Sequence, residues 1–270
     1  MENGEQKIFV WCDFTQGIEE AILHGFLIAS ILKKELCLIH LLEVDDENLA
    51  QSYSNRLKKI VSELGLLSDP VIIRYLVVKQ DLITTLVDLA ELYECLALVA
   101  HKDIAPVLLP YLQFAAFPFL FVSAKTNIEP IYKNIVVPVG YMKKCKDLAL
   151  WASYLGRHNS AQINLYVSDD GKGNDQITVK NNLFSIQRFY NKFNFPSQVI
   201  QSASPTWKLQ KASLAYAFSE TNALLIIAGS YHTTFLDSLL GLTELKVIRN
   251  SHDLSVMCVN SQLDFYSICN

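Results

Sequence analysis

The stretch 8-IFVWCDFTQGIEEAILHGFLIASILKKELCLIHLLEVDD-46 has a second copy in 135-IVVPVGYMKKCKDLALWASYLGRHNSAQINLYVSDD-170. Ile8 falls on Ile135, Val10 on Val137, Leu38 on Leu165 and the acidic Glu20 on Asp147, all at an offset of 127 residues. Further along, 96-LALVAH-101 matches 224-LLIIAG-229 at an offset of 128, and 119-FLFV-122 matches 256-VMCV-259 at 137. Solenoid repeats run at roughly 20–50 residues, so a period of almost half of this 270-residue chain marks a duplicated domain. The join falls at 125-KTNIEPIYKN-134, polar with one proline, and the expected domains are 1–125 and 132–270.

Each half alternates strand and helix. In the first, Lys7–Cys12 is an apolar β-type run, and Ile18, Ala21, Ile22, Gly25, Ile28, Ala29 and Leu32 then recur at helical spacing. The pattern continues as strand Leu36–Leu42, helix Leu49–Leu66, strand Val71–Val78, helix Ile83–Tyr93 and strands Leu96–Ala100 and Phe119–Val122. The second half predicts strands Asn134–Val139, Gln162–Val167, Gln198–Ser202, Ala223–Ala228 and Ser255–Val259. Between them it predicts helices Lys146–Arg157, Val179–Phe193, Leu209–Thr221 and Phe235–Asn250. Near-continuous apolar strands alternating with helices imply an α/β fold whose parallel sheet is covered on both faces. Ligands of such sheets bind beyond the carboxyl ends of the strands, where the strand order reverses.

Composition narrows the function classes. The chain is 51% hydrophobic and 19% charged with a net charge of -4, which fits a globular protein with a sizeable core. No Lys/Arg cluster stands out, so a nucleic-acid footprint is not expected. The six cysteines include no CxxC pair and sit mostly in apolar runs, which fits reduced thiols and a cytoplasmic protein. The opening MENGEQKIFVW lacks a basic region followed by a long apolar core, so no secretory leader is expected. Ile104–Ala124 is uncharged over 21 residues, enough to span a bilayer, but Pro106, Pro110, Pro118 and Gln113 argue against a spanning helix and for no membrane partner.

On the duplicated α/β halves, the strand-1 Asp13 and the 228-AGSYHTTFLDSLLGLTEL-245 stretch after strand 4, the chain resembles the universal stress protein family in its tandem form, from residue 7 to about 261. The resemblance implies two Rossmann-like (adenine nucleotide alpha hydrolase-like) domains, each a five-stranded parallel sheet of order 3-2-1-4-5 with helices on both faces. It also implies a site where a strand-1 Asp lies near the nucleoside and a G-x2-G-x9-G-S/T loop cradles the phosphates of ATP with backbone N–H groups. Strand 5 would be the edge strand that pairs between domains. That implies an intramolecular pseudo-dimer, with a homodimer or unknown protein partners engaging the apolar surface around Val107–Phe117.

Both halves depart from that motif. The first keeps Asp13, but its loop 101-HKDIAPVLLPYLQFAAFP-118 has no glycine to take the φ > 0 turns of a phosphate nest, and Asp103 would face the phosphates. The second has Pro138-Val139-Gly140 in place of a strand-1 Asp. It retains Gly229, Ser230 and Gly241, has His232 at the middle glycine, is one residue short, and offers Thr243 as a displaced hydroxyl. The candidate nucleotide-binding residues are therefore Gly229, Ser230, His232, Gly241 and Thr243 in the second half and Asp13 in the first. No nucleophile signature is present, Glu20 and His24 are too few for a metal site, and Phe184, Phe189, Tyr190 and Phe193 read as core. Two expectations result: a non-enzymatic stress-response protein without a cofactor, or an adenine-nucleotide-binding protein using the Gly229–Gly241 loop.

Overall fold

Ile8, Phe9 and Val10 are wholly excluded from solvent, as a strand covered on both faces requires. In the computed structural model, which describes residues 6–65, 71–123, 132–229 and 242–260, they form the central strand β1 (Lys7–Trp11). Phe9 lies opposite Cys37 of β2 (Glu35–Leu41) on one side and Leu98 of β4 (Cys95–His101) on the other. β3 (Ile73–Val78) and β5 (Phe119–Val122) complete a parallel order β3-β2-β1-β4-β5. The crossovers are α1 (Ile18–Leu32), α2 (Glu47–Leu64), α3 (Leu82–Glu91) and, between β4 and β5, the single turn α4 (Ala105–Leu108) between two 3-10 turns.

The second half repeats the design. β6 (Asn134–Val139) is central, with β7 (Gln162–Val167), β8 (Ser197–Gln201), β9 (Ala223–Ala228) and β10 (Ser255–Val259) in the parallel order β8-β7-β6-β9-β10. Its helices are α5 (Cys145–Asn159), α6 (Asn174–Lys192), α7 (Thr206–Ala217) and α8 (Thr243–Arg249). Chain contacts divide the protein into Met1–Ala124 and Lys125–Asn270, called unit 1 and unit 2 below. The α/β class and the 3-2-1-4-5 order are thus present in each. Backbone strain marks the duplication too. Lys33 and Ser160, 127 residues apart, take left-handed φ of 53° and 51° after α1 and α5, and Glu94 and Asn222, 128 apart, take 54° and 48° before β4 and β9.

Several boundaries differ from the expectation for identifiable reasons. α2 and α3 start early because Asp46 accepts from the amides of Asn48 and Leu49, and Asp81 from that of Thr84. α7 begins at Thr206 rather than Leu209 because a carboxylate distant in sequence caps it, as described below. The expected helix Phe235–Asn250 lies partly outside the described residues, and α8 is its described part. No helix among the described residues is long and apolar enough to cross a membrane. The part of the uncharged stretch before β5 instead forms short turns in which Ala105, Leu108, Leu109 and Leu112 are buried, as is Phe117 after them, while Val107 and Phe114 are exposed. The core reading of the α6 aromatics holds for Tyr190, whose hydroxyl donates to the Ala149 carbonyl at 2.8 Å. It fails for Phe184 and Phe193, which are 66% and 53% exposed: Phe184 lies off the Val179–Ile186–Tyr190 stripe that faces inward, and Phe193 follows the last helical residue, Lys192.

Candidate functional site

The fold leaves an opening in unit 2 where β6 and β9 part. Pairing of the two strands runs from Asn134 opposite Ala223 to Val136 opposite Leu225 and stops there. Pro138 is the next residue whose amide would face β9, and proline has no N–H to continue the ladder. In unit 1 the corresponding ladder extends one residue further, to Val10 opposite Val99. Beyond the parting lies a cavity of about 390 Å³ lined by the ends of β6 and β9, the α5 approach, α7 and α8. This is the crevice in which parallel α/β sheets bind ligands.

One wall is a hydrogen-bonded knot around Thr206, the first residue of α7. Asp170, beyond the end of β7, accepts from the Thr206 amide at 2.9 Å and from its hydroxyl at 2.6 Å, and also from Ser168 Oγ at 2.6 Å. Burial raises the Asp170 pKa, but those three bonds outweigh it and hold the carboxyl below its usual range. The same carboxylate therefore neutralises the positive end of α7. The Tyr141 amide donates to Thr206 Oγ1 at 3.2 Å, which locks the rotamer. A Cβ on Gly140 would stand 2.5 Å from that oxygen, so no side chain fits at 140 while Thr206 holds this place.

The inner wall carries charge. Lys144, the residue before α5, donates from Nζ to the Gly229 carbonyl at 3.1 Å. Burial depresses its pKa, opposed by Glu244 and Asp147. Glu244 lines the cavity while only 4% exposed. Gln210 donates its amide N to the Ala228 carbonyl at 3.2 Å, which turns Oε1 the other way, and that buried oxygen accepts from no described residue. The outer wall is apolar, with Met142 50% and Trp207 70% exposed.

Unit 1 answers differently at the equivalent positions. His101 stands where Gly229 stands in unit 2, and Gly17, before α1, stands where Lys144 does. Gly17 has φ of 93°, and a Cβ there would lie 2.4 Å from the His101 ring. Each unit thus pairs one glycine with one long side chain across the end of its fourth strand, with the roles exchanged. Asp13 turns back on its own chain, accepting from the Thr15 amide at 3.1 Å and hydroxyl at 2.8 Å. Beside it, Phe14 stacks on Tyr53 at 5.2 Å between ring centroids, with the Arg56 guanidinium 3.9 Å from the Phe14 ring centre. His40 Nδ1 donates to the Cys12 carbonyl at 2.6 Å, which places its proton on that nitrogen. Burial first, and Arg56 with it, lowers the His40 pKa against the opposing effects of Cys12 and Asp13.

Of the sequence candidates, Gly229 and Thr243 line the cavity, and Asp13 belongs to the other unit. Ser230, His232 and Gly241 lie outside the described residues. His24 is buried in the core, and no cluster of three metal-binding side chains occurs among the described residues. Sequence reasoning passed over Lys144, Asp170, Thr206, Trp207, Gln210 and Glu244. The repeat offset carried a signal for Lys144, which aligns with Gly17, whereas nothing in the local sequence joins Asp170 to Thr206.

No family model matches the sequence, and no curated protein matches it. Solved structures do. A universal stress protein from Archaeoglobus fulgidus DSM 4304 matches with a TM-score of 0.67 and 13% identity, over 94% of this chain and 96% of that one. A functionally unknown protein from Pseudomonas aeruginosa PAO1 matches at 0.58 and 15% identity, over 95% and 92% of the two chains. A protein from Pseudomonas aeruginosa UCBPP-PA14, assigned provisionally to the universal stress proteins, matches at 0.57 and 16%, over 95% and 93%. Over nearly its whole length, this chain has the fold of the universal stress proteins.

Proposed function

We propose that the protein is a non-enzymatic stress-response protein in which neither unit holds ATP and unit 2 keeps a small-ligand cavity. The stress role rests on likeness of fold. The loss of ATP binding is supported by one observation above all: in each unit a long side chain of the protein spans the end of the fourth strand. His101 covers Gly17 in unit 1, and Lys144 reaches the Gly229 carbonyl in unit 2. Three further features of unit 2 fit a triphosphate poorly. Gly140 offers no carboxylate to a ribose, Asp170 already satisfies the start of α7, and the buried Glu244 puts negative charge on the inner wall. Moving an anion against a buried carboxylate is unfavourable because water no longer screens the pair.

Calorimetric titration of the whole chain with Mg-ATP, sensitive to affinities of about 100 μM, tests this reading. A flat trace, with no phosphate released on prolonged incubation, is the expected result. A one-to-one isotherm abolished by Gly229→Asp overturns it in favour of an adenine-nucleotide-binding protein.

A further inference from the structure

The sheet order of unit 1 ends in a strand with main-chain groups left to pair. β3 has the sequence IRYLVV and, among the described residues, pairs with β2 alone. The Leu36 amide donates to the Ile72 carbonyl and the Leu42 amide to that of Val78, both at 2.9 Å. Residues that bond a neighbour alternate along a parallel strand, so Arg74, Leu76 and Val78 face β2. The N–H and C=O groups of Ile73, Tyr75 and Val77 point the other way, off the edge of the sheet. Natural edges are blunted by lysine, proline or a bulge. β3 has none of these, and its register with β2 runs unbroken from Leu36 opposite Ile73 to Leu41 opposite Val78. Its single charge, Arg74, is paired with Glu35 of β2 at 3.0 Å. No residue of β3 is buried, although all but Arg74 are aliphatic or aromatic, and Tyr75 is 37% exposed. The equivalent strand of unit 2, β8, turns Ser197, Val199 and Gln201 outward and so lacks a comparable apolar row.

We propose that β3 is a dimerisation edge, taking the β3 strand of a second copy of this chain in antiparallel pairing about a two-fold axis through Tyr75. In that register Ile73 lies opposite Val77 of the second copy and Tyr75 opposite its own mate. Every outward N–H and C=O of the three residues is then bonded. Arg74 meets Leu76 of the second copy, and Glu35 already balances its charge, so like charges do not face each other. A register centred on Arg74 would oppose the two guanidinium groups. The edge thus matches itself in hydrogen bonding, apolar side chains and charge, which selects a second copy as the occupant. This surface is independent of the ligand reading of unit 2.

Pairing through one strand buries little area, so the dimer is weak, and sedimentation equilibrium of the whole chain up to about 100 μM is the measurement. The mass should rise with concentration towards twice the 30.5 kDa of one chain. Tyr75→Lys sets two ammonium groups opposite each other. Val77→Pro removes an outward N–H from both copies but no bond to β2. Each should weaken association by roughly tenfold or more while leaving the circular dichroism unchanged. Exchange of the Ile73, Tyr75 and Val77 amides should slow as concentration rises, while that of β8 does not. Tyr75→Cys should give a covalent dimer on mild oxidation, whereas Leu76→Cys, roughly 7–8 Å from its mate, should not. A chain that stays monomeric at that concentration overturns the proposal. So does a dimer that withstands both Tyr75→Lys and Val77→Pro, or one that cross-links at position 76 in preference to 75.

Discussion

At Gly140 the absence of a side chain is structural. The atom that a Cβ would strike is Thr206 Oγ1, which Asp170 and the Tyr141 amide hold in place. Gly140→Ala should therefore destabilise the protein by about 1–3 kcal/mol, as overpacking of a fixed neighbour does. In a Thr206→Ala background most of that penalty should vanish, a coupling that urea denaturation of the four proteins would measure. Additive effects would show that the clash is relieved some other way. A second residue sets an acid limit. His24 is 1% exposed, and burial pushes its imidazole down to about 4. The unfolded ring titrates near its ordinary value of about 6.5, so on acidification the unfolded chain takes up the proton first. The contribution is whole above about pH 6.5 and is lost as pH falls towards 4, by on the order of 3 kcal/mol. His24→Leu should flatten the dependence of the denaturation midpoint over that window, and an unchanged slope would assign it elsewhere.

Among the elements, α7 has its start fixed from a distance. Its first amide is capped by Asp170, 36 residues earlier, so the helix and the end of β7 are joined through one carboxylate. Asp170→Ala should cost about 1 kcal/mol, typical of a lost cap. It should also speed amide exchange in the first turn of α7 while leaving α5 untouched. Uniform protection would mean that water replaces the carboxylate. The strands differ in the same local way. β3 and β8 each pair on one side within their units and carry exposed residues, whereas β1 and β6 are buried between two neighbours. Hydrogen exchange should open β3 and β8 first.

Across the whole molecule, duplication has produced two units of one fold with divergent strand ends. His101 against Gly17 fills that position in unit 1, whereas Pro138 ends the β6–β9 ladder early and leaves a cavity in unit 2. Any compound held at the strand ends should accordingly bind at one per chain, and a stoichiometry of two by calorimetry would refute the asymmetry.

The repeat, the strand and helix succession and the parallel sheet were legible in the chain itself, because burial on both faces forces unbroken apolar strands and duplication preserves their spacing. Even the left-handed residues after α1 and α5 keep the repeat offset. The site was legible only in part. Gly229 and Thr243 carry a motif that can be read locally, while Asp170 caps Thr206, Lys144 meets Gly229 and Glu244 enters the cavity from α8. Those contacts join residues tens of positions apart, and no periodicity encodes them. They exist because folding brings the ends of separate strands together, where charge, hydrogen bonding and volume are settled by neighbours in space.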